Sequence, residues 1–179
     1  MILKILISLA AIVAVLAVVI AMRPTEFRVE RTATMAASAP VVFAQVNDFH
    51  KWDAWSPYAR RDPGMKKSFE GAPAGVGATY TWSGNNEVGE GRTTIIESRP
   101  GDLIRIKLEF VRPFAATSIA TFTFRPEGDR TAVTWSLDGR NGFPAKAMGL
   151  VMNMDRMIGD DFEMGLAQMK AIAEAAPRS

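Results

Sequence analysis

The chain has 179 residues, with 21 Lys and Arg against 19 Asp and Glu, one His and no Cys. So even a charge balance lacks the basic face that nucleic acid demands, and no nucleic-acid partner is expected. Without Cys there are no disulfides, no thiol chemistry and no thioester lipid anchor, and a single His argues against a zinc or iron site; neither metal nor cofactor is expected.

In chain order, the first element is an apolar run, Ile5–Met22, broken only by Ser8. As a helix it would be about 27 Å long, close to the hydrocarbon thickness of a bilayer. The expectation is a single-pass transmembrane anchor over residues 1–22, a linker over 23–25 and one domain over 26–176. A cleaved secretory signal is the alternative, with Val19-Ile20-Ala21 as a poor cleavage site. The run is longer than the usual apolar stretch of a signal. Lys4 before the run and Arg23, Arg28 and Arg31 after it leave the positive-inside rule undecided. The short head before Lys4 favours a cytoplasmic amino terminus and an extracytoplasmic domain.

Phe27–Met35 alternates as a strand, with Phe27, Val29 and Arg31 on one side. Ser38 reads as an N-cap for a helix carrying Val41, Val42, Phe43 and Val46. A second short helix is expected over Asp48–Trp52, then a loop over Ser56–Pro63. Lys66–Glu70, Ala78–Ser83 and Gly89–Ser98 read as strands between Gly-rich turns. Leu103–Val111 is the clearest: Ile104, Ile106, Leu108 and Phe110 face one way and Arg105, Lys107 and Glu109 the other. Ser118–Phe124 and Thr131–Leu137 repeat the pattern. The period then becomes helical, with a first piece over Pro144–Met154. A long helix follows from Met157 to Ala175, stopped by Pro177.

Strand, two short helices, a run of antiparallel strands and a long helix make an α+β fold, a curved sheet around one helix. That order, with Trp52-Asp53-Ala54-Trp55-Ser56-Pro57 after the first helix, resembles the START-like (SRPBCC) superfamily. The branch it resembles is polyketide cyclase/dehydrase and lipid transport, over about Glu26 to Ala175. The resemblance implies a helix-grip fold, with seven antiparallel strands gripping the C-terminal helix over an apolar cavity. It supplies no fixed catalytic motif that can be placed on this chain, and the catalytic residues are unknown.

Candidate cavity residues come from both walls. Trp82, Phe110, Phe122, Phe124 and Trp135 lie on the apolar faces of their strands. Met148, Met152 and Met157 belong to a Met-rich stretch that also includes Met154, Met164 and Met169. Methionine adapts to varied apolar partners, although ordinary core packing explains any one of these residues as well. Trp52 and Trp55, three apart, are candidates for a lid at the cavity mouth or for a plug seating the short helices. His50 reads as a surface residue. Asp160 and Asp161 read as helix solvation, because neighbouring helix residues point about 100° apart. Arg60, Arg61, Lys66 and Lys67 read as a solvated run that could touch anionic headgroups.

These observations favour a membrane-anchored domain that binds or carries a small hydrophobic molecule or lipid. A cyclase- or dehydrase-like enzyme acting on a polyketide-like substrate and a non-catalytic protein-interaction module are the alternatives. An apolar cavity favours the first, a buried shifted carboxylate or Tyr facing the cavity the second, and a filled interior the third. Nothing in the sequence speaks to oligomeric state.

Overall fold

A computed structural model describes residues 1–176. Helix α1 (Ile2–Met22) stands apart with no buried residue, and it is long and apolar enough to cross a membrane. Strand β1 (Glu26–Met35) follows after three residues. Then come α2 (Ala39–Val46), a 3₁₀ turn (Phe49–Lys51), α3 (Trp52–Trp55) and α4 (Pro57–Arg61). Six strands run in succession: β2 (Lys66–Gly71), β3 (Ala78–Ser83), β4 (Glu90–Arg99), β5 (Leu103–Arg112), β6 (Ala116–Glu127) and β7 (Arg130–Arg140). Helices α5 (Phe143–Met148) and α6 (Met154–Ala175) complete the order.

All seven strands form one antiparallel sheet in the order β1-β7-β6-β5-β4-β3-β2. Hairpins join β2 through β7, and β1 returns to the edge beside β7. This is the α+β helix-grip architecture, with α6 lying against the concave face. The register fixes that face: Ile95, Ile106, Ala120, Leu137 and Val29 line up across five strands, all buried. Arg105, Lys107 and Glu109 lie on the convex side, as the alternation requires.

Three local expectations differ. The segment predicted as a loop over Ser56–Pro63 holds α4. Pro57 at its first position is preset for a helix, and Arg61 at its end is held by Asp161 on α6. The helix predicted over Pro144–Met154 ends at Met148, where Gly149 caps it. Asn153 then starts α6 by accepting from the Arg156 backbone N–H at 3.0 Å. Ser38 sits at the N-cap of α2, yet its side chain makes no capping bond. Pro177 lies outside the described residues.

The sheet and α6 are tied at both ends. Arg31, on the concave face of β1, crosses Gly159 and bonds Glu163 at 2.8 Å and Asp155 at 3.2 Å. Near the other end, the Glu174 carboxylate accepts from the Ala36 N–H at 2.8 Å.

Ile106 is fully buried, whereas Lys107, its neighbour, is only half-buried and pairs with Glu109. Ile106→Asp should therefore cost several kcal/mol, of the order of a small domain's whole stability. Lys107→Gln should cost less than about 1 kcal/mol. Urea denaturation of the two variants checks the register, and equal midpoints would refute it.

Candidate functional site

The concave face has a closed half and an open half. In the closed half, Phe162 of α6 lies flat on Trp135 of β7, ring centres 3.9 Å apart and planes 10° apart. Trp135 in turn stacks on Phe122 at 4.8 Å. Trp55 meets both rings edge-on, and Phe124 meets Phe43 of α2 likewise. Gly165 makes room for the Trp135 ring, since a Cβ there would come within 2.9 Å of it. Phe122, Phe124, Trp135 and Trp55 are all buried, so these residues fill the interior at this end.

The Trp pair sits here too. The indole N–H groups of Trp52 and Trp55 donate to the Val46 and Gln45 carbonyls, each at 3.0 Å, which ties α3 to the end of α2. Trp55 is sealed away from solvent and Trp52 is half-buried. Their surroundings are those of a plug between the short helices and the sheet; Trp55 lies at no open mouth.

The open half follows β3, the start of β4 and the end of β5. Tyr80 and Trp82 stack at 6.0 Å, and Phe110 meets Trp82 edge-on at 5.7 Å. Phe69 continues the row from Tyr80 at 5.3 Å, and exposed His50 lies on Phe69 at 4.2 Å. Gly91, between Trp82 and Phe110 in register, lets the indole lie across β4: a Cβ there would sit 2.6 Å from the ring. Tyr80, Trp82, Leu108 and Phe110 are all only half-buried. Thr93 lies between Tyr80 and Leu108 in register; its hydroxyl is buried and has no hydrogen-bond partner among the described residues. Burial raises the Tyr80 phenol to about 12, with Asp53 adding to the effect.

A cavity of about 480 Å³ lies beside this end, between the start of β1 and the α5–α6 connection. Met152, Met154, Leu150, Phe27 and Arg23 are among its walls. Phe27 joins it to the concave face, for its ring lies over Gly139 next to Ser118. Of the three methionines predicted as cavity wall, Met152 borders this space. Met148 on α5 and Met157 on α6 do not line it; both are partly exposed, as Met152 is. The first helical piece, expected through Met154, ends at Met148, which leaves Met152 in the turn between α5 and α6.

One buried carboxylate corrects the reading of Asp160 and Asp161 as helix solvation. Asp161 is 5 % exposed, held by the Arg61 guanidinium and next to Tyr58. Burial pushes its carboxyl above the ordinary range even against the pull of Arg61. Burial and the Asp161 charge push the Tyr58 phenol well up. Asp160, next in sequence, is exposed. The signal that could have found Asp161 is its spacing: it falls one before Phe162 and four before Gly165, on the face that packs inward. Of the other basic residues of that region, Arg60 donates to Gln168, Lys67 pairs with Asp53 and Lys66 is exposed.

The sequence profile of the family described as polyketide cyclase / dehydrase and lipid transport matches residues 26–174. The chain belongs to this family. Among solved structures, protein MLL2253 from Mesorhizobium loti superposes with a TM-score of 0.62 at 14% identity, covering 84% of this chain and 99% of that one. The Aha1 dimer from Colwellia psychrerythraea gives 0.59 at 10%, covering 83% and 97%. The di-domain ARO/CYC StfQ from the steffimycin biosynthetic pathway gives 0.61 at 14%, covering 84% of this chain and 51% of that one. At such identities the likeness is one of fold. No curated protein sequence matches the chain.

Within this family member, Asp161 has a measurable consequence. Its folded carboxyl binds a proton more tightly than an unfolded one at 3.8. Its contribution to stability is therefore greatest below that value and declines as pH rises through the raised folded value. Asp161→Asn should flatten this part of the profile. Urea midpoints taken across the acid range for both proteins provide the check; parallel profiles would refute it.

Proposed function

We propose that this family member is a membrane-held domain that binds a small hydrophobic molecule or lipid at the open half of its concave face. The observation that supports this most is the half-exposed apolar wall of Tyr80, Trp82, Leu108 and Phe110. Four large apolar side chains left partly in water, on the face a core would normally cover, form a surface that favours an apolar guest. The adjoining cavity of about 480 Å³ is of ligand size. The Thr93 hydroxyl, buried without a protein partner, would favour a guest with one polar group.

In this reading Trp82 and Phe110 are the principal contacts and Met152 guards the adjoining cavity. Phe122, Phe124 and Trp135 form the packed floor that holds the wall in place, and Trp52 and Trp55 seat the short helices. Helix α1 holds the domain at the bilayer as a retained anchor, with the domain on the extracytoplasmic side.

A cyclase- or dehydrase-like activity is the second reading. It rests on Asp161 and Tyr58, which hold their protons to higher pH than usual. The Arg61 pair that joins α4 to α6 accounts for Asp161 as a structural clamp, which places binding first.

Mass spectrometry of organic extracts of the purified full-length chain is the direct test, and it should find a co-purifying apolar molecule. A fluorescent hydrophobic probe should bind, and Phe110→Ala should weaken it about 10-fold or more, the equivalent of roughly 1.4 kcal/mol or more. Absence of any extractable molecule, together with unchanged probe binding in Phe110→Ala, would overturn the site.

A further inference from the structure

The polarity of the sheet sets which end of the domain faces the anchor. β1 leaves α1 at Glu26, and Glu26 pairs with Arg140, while Met35 pairs with Thr131 at the opposite end. The end nearest α1 therefore carries the last residues of β5 and β7, the β5–β6 loop, α5 and the start of α6. The β6–β7 turn at Asp129 lies about 30 Å away, the length of a ten-residue strand.

Exposed apolar side chains gather at that near end. Val111 and Phe114 flank the β5–β6 loop, and Phe143, Met148, Val151 and Met152 follow one another through α5 and the turn after it. Val151 is 85 % exposed. Helix α5 touches the last turn of α1, where the Lys146 ammonium donates to the Ala21 carbonyl at 3.3 Å. Arg23, Arg140 and Lys146 stand among these residues, and Arg23 and Lys146 border the cavity of about 480 Å³ together with Met152.

The geometry points to a second membrane contact: the 143–152 segment, with Val111 and Phe114, sits in the interfacial layer of the leaflet where α1 ends. This rests on the reading of α1 as a retained anchor. Continuity with α1 identifies the occupant. A helix that spans the hydrocarbon must end at the interface, so a segment in contact with its last turn lies at that depth. Apolar side chains with basic residues among them match what an interfacial segment presents to acyl chains and anionic headgroups. The cavity walled by Met152 then opens at the bilayer surface. A hydrophobic guest could pass between membrane and domain without crossing bulk water.

The chain has no Cys, so Val151→Cys and Asp129→Cys each give a unique labelling position on exposed residues of the full-length protein. Both would carry an environment-sensitive fluorophore and be reconstituted into vesicles of phosphatidylcholine and phosphatidylglycerol. The label at 151 should shift to the blue, resist aqueous iodide and be quenched by brominated acyl chains; the label at 129 should do none of these. If the protein floats with the vesicles through an alkaline wash but the label at 151 stays open to iodide, the contact is overturned while the anchor stands. That face would then await a soluble partner. Failure to float at all overturns the anchor reading and the contact with it.

Discussion

The face-to-face stack of Phe162 on Trp135 is the contact on which the rest of the structure depends. It joins the C-terminal helix to β7, the strand beside the edge strand β1, and it carries Phe122 alongside and Trp55 at its edge. Two glycines on α6 make it possible. Gly165 admits the indole, and Gly159 lets Arg31 cross the helix to reach Glu163 and Asp155. Flat aromatic contact needs the helix close to the sheet, and a Cβ at either position would hold it off.

Filling one half of the concave face leaves the other half open. Trp135, Phe122 and Phe162 fill one half together with Trp55, while Trp82 and Phe110 near the other end stay half-buried. Gly91 and Gly139 deepen this end by leaving backbone where side chains would stand, so that Trp82 and Phe27 lie flat against the sheet. The same arrangement that stabilises the fold therefore leaves an apolar surface, at the end of the sheet where the chain leaves α1.

Asp161 illustrates how a stabilising clamp and a chemical group can look alike. A buried carboxylate beside a Tyr is what proton transfer would use, and its raised affinity for a proton fits that role. The Arg61 guanidinium at the end of α4 gives it another: it fixes a five-residue helix that could not persist alone. Fold likeness to StfQ and to the Aha1 dimer does not choose between the two, since one scaffold serves many chemistries.

The sequence by itself determined the strands, their inward faces, the long final helix and the apolar helix at the start. Each of these is a periodicity or a length, and both survive without knowledge of neighbours. Trp52-x-x-Trp55-Ser56-Pro57 carried the family in the same way. What only the tertiary structure decided was which aromatic residues pack and which remain open. Phe122 and Phe110 both lie on inward faces; Trp52 and Trp55 of α3 and Trp135 close over Phe122, while Phe110 meets Trp82 and stays half-buried. Likewise Met152 borders a cavity that Met148 and Met157 do not line, because the first helical piece stops at Met148 and Met152 falls in the turn before α6. Adjacent carboxylates at Asp160 and Asp161 carry no sign of Arg61, a hundred residues earlier, that meets one of them in the folded chain. Periodicity tells which side of an element points inward; how much of that side is covered depends on contacts between residues far apart in the chain.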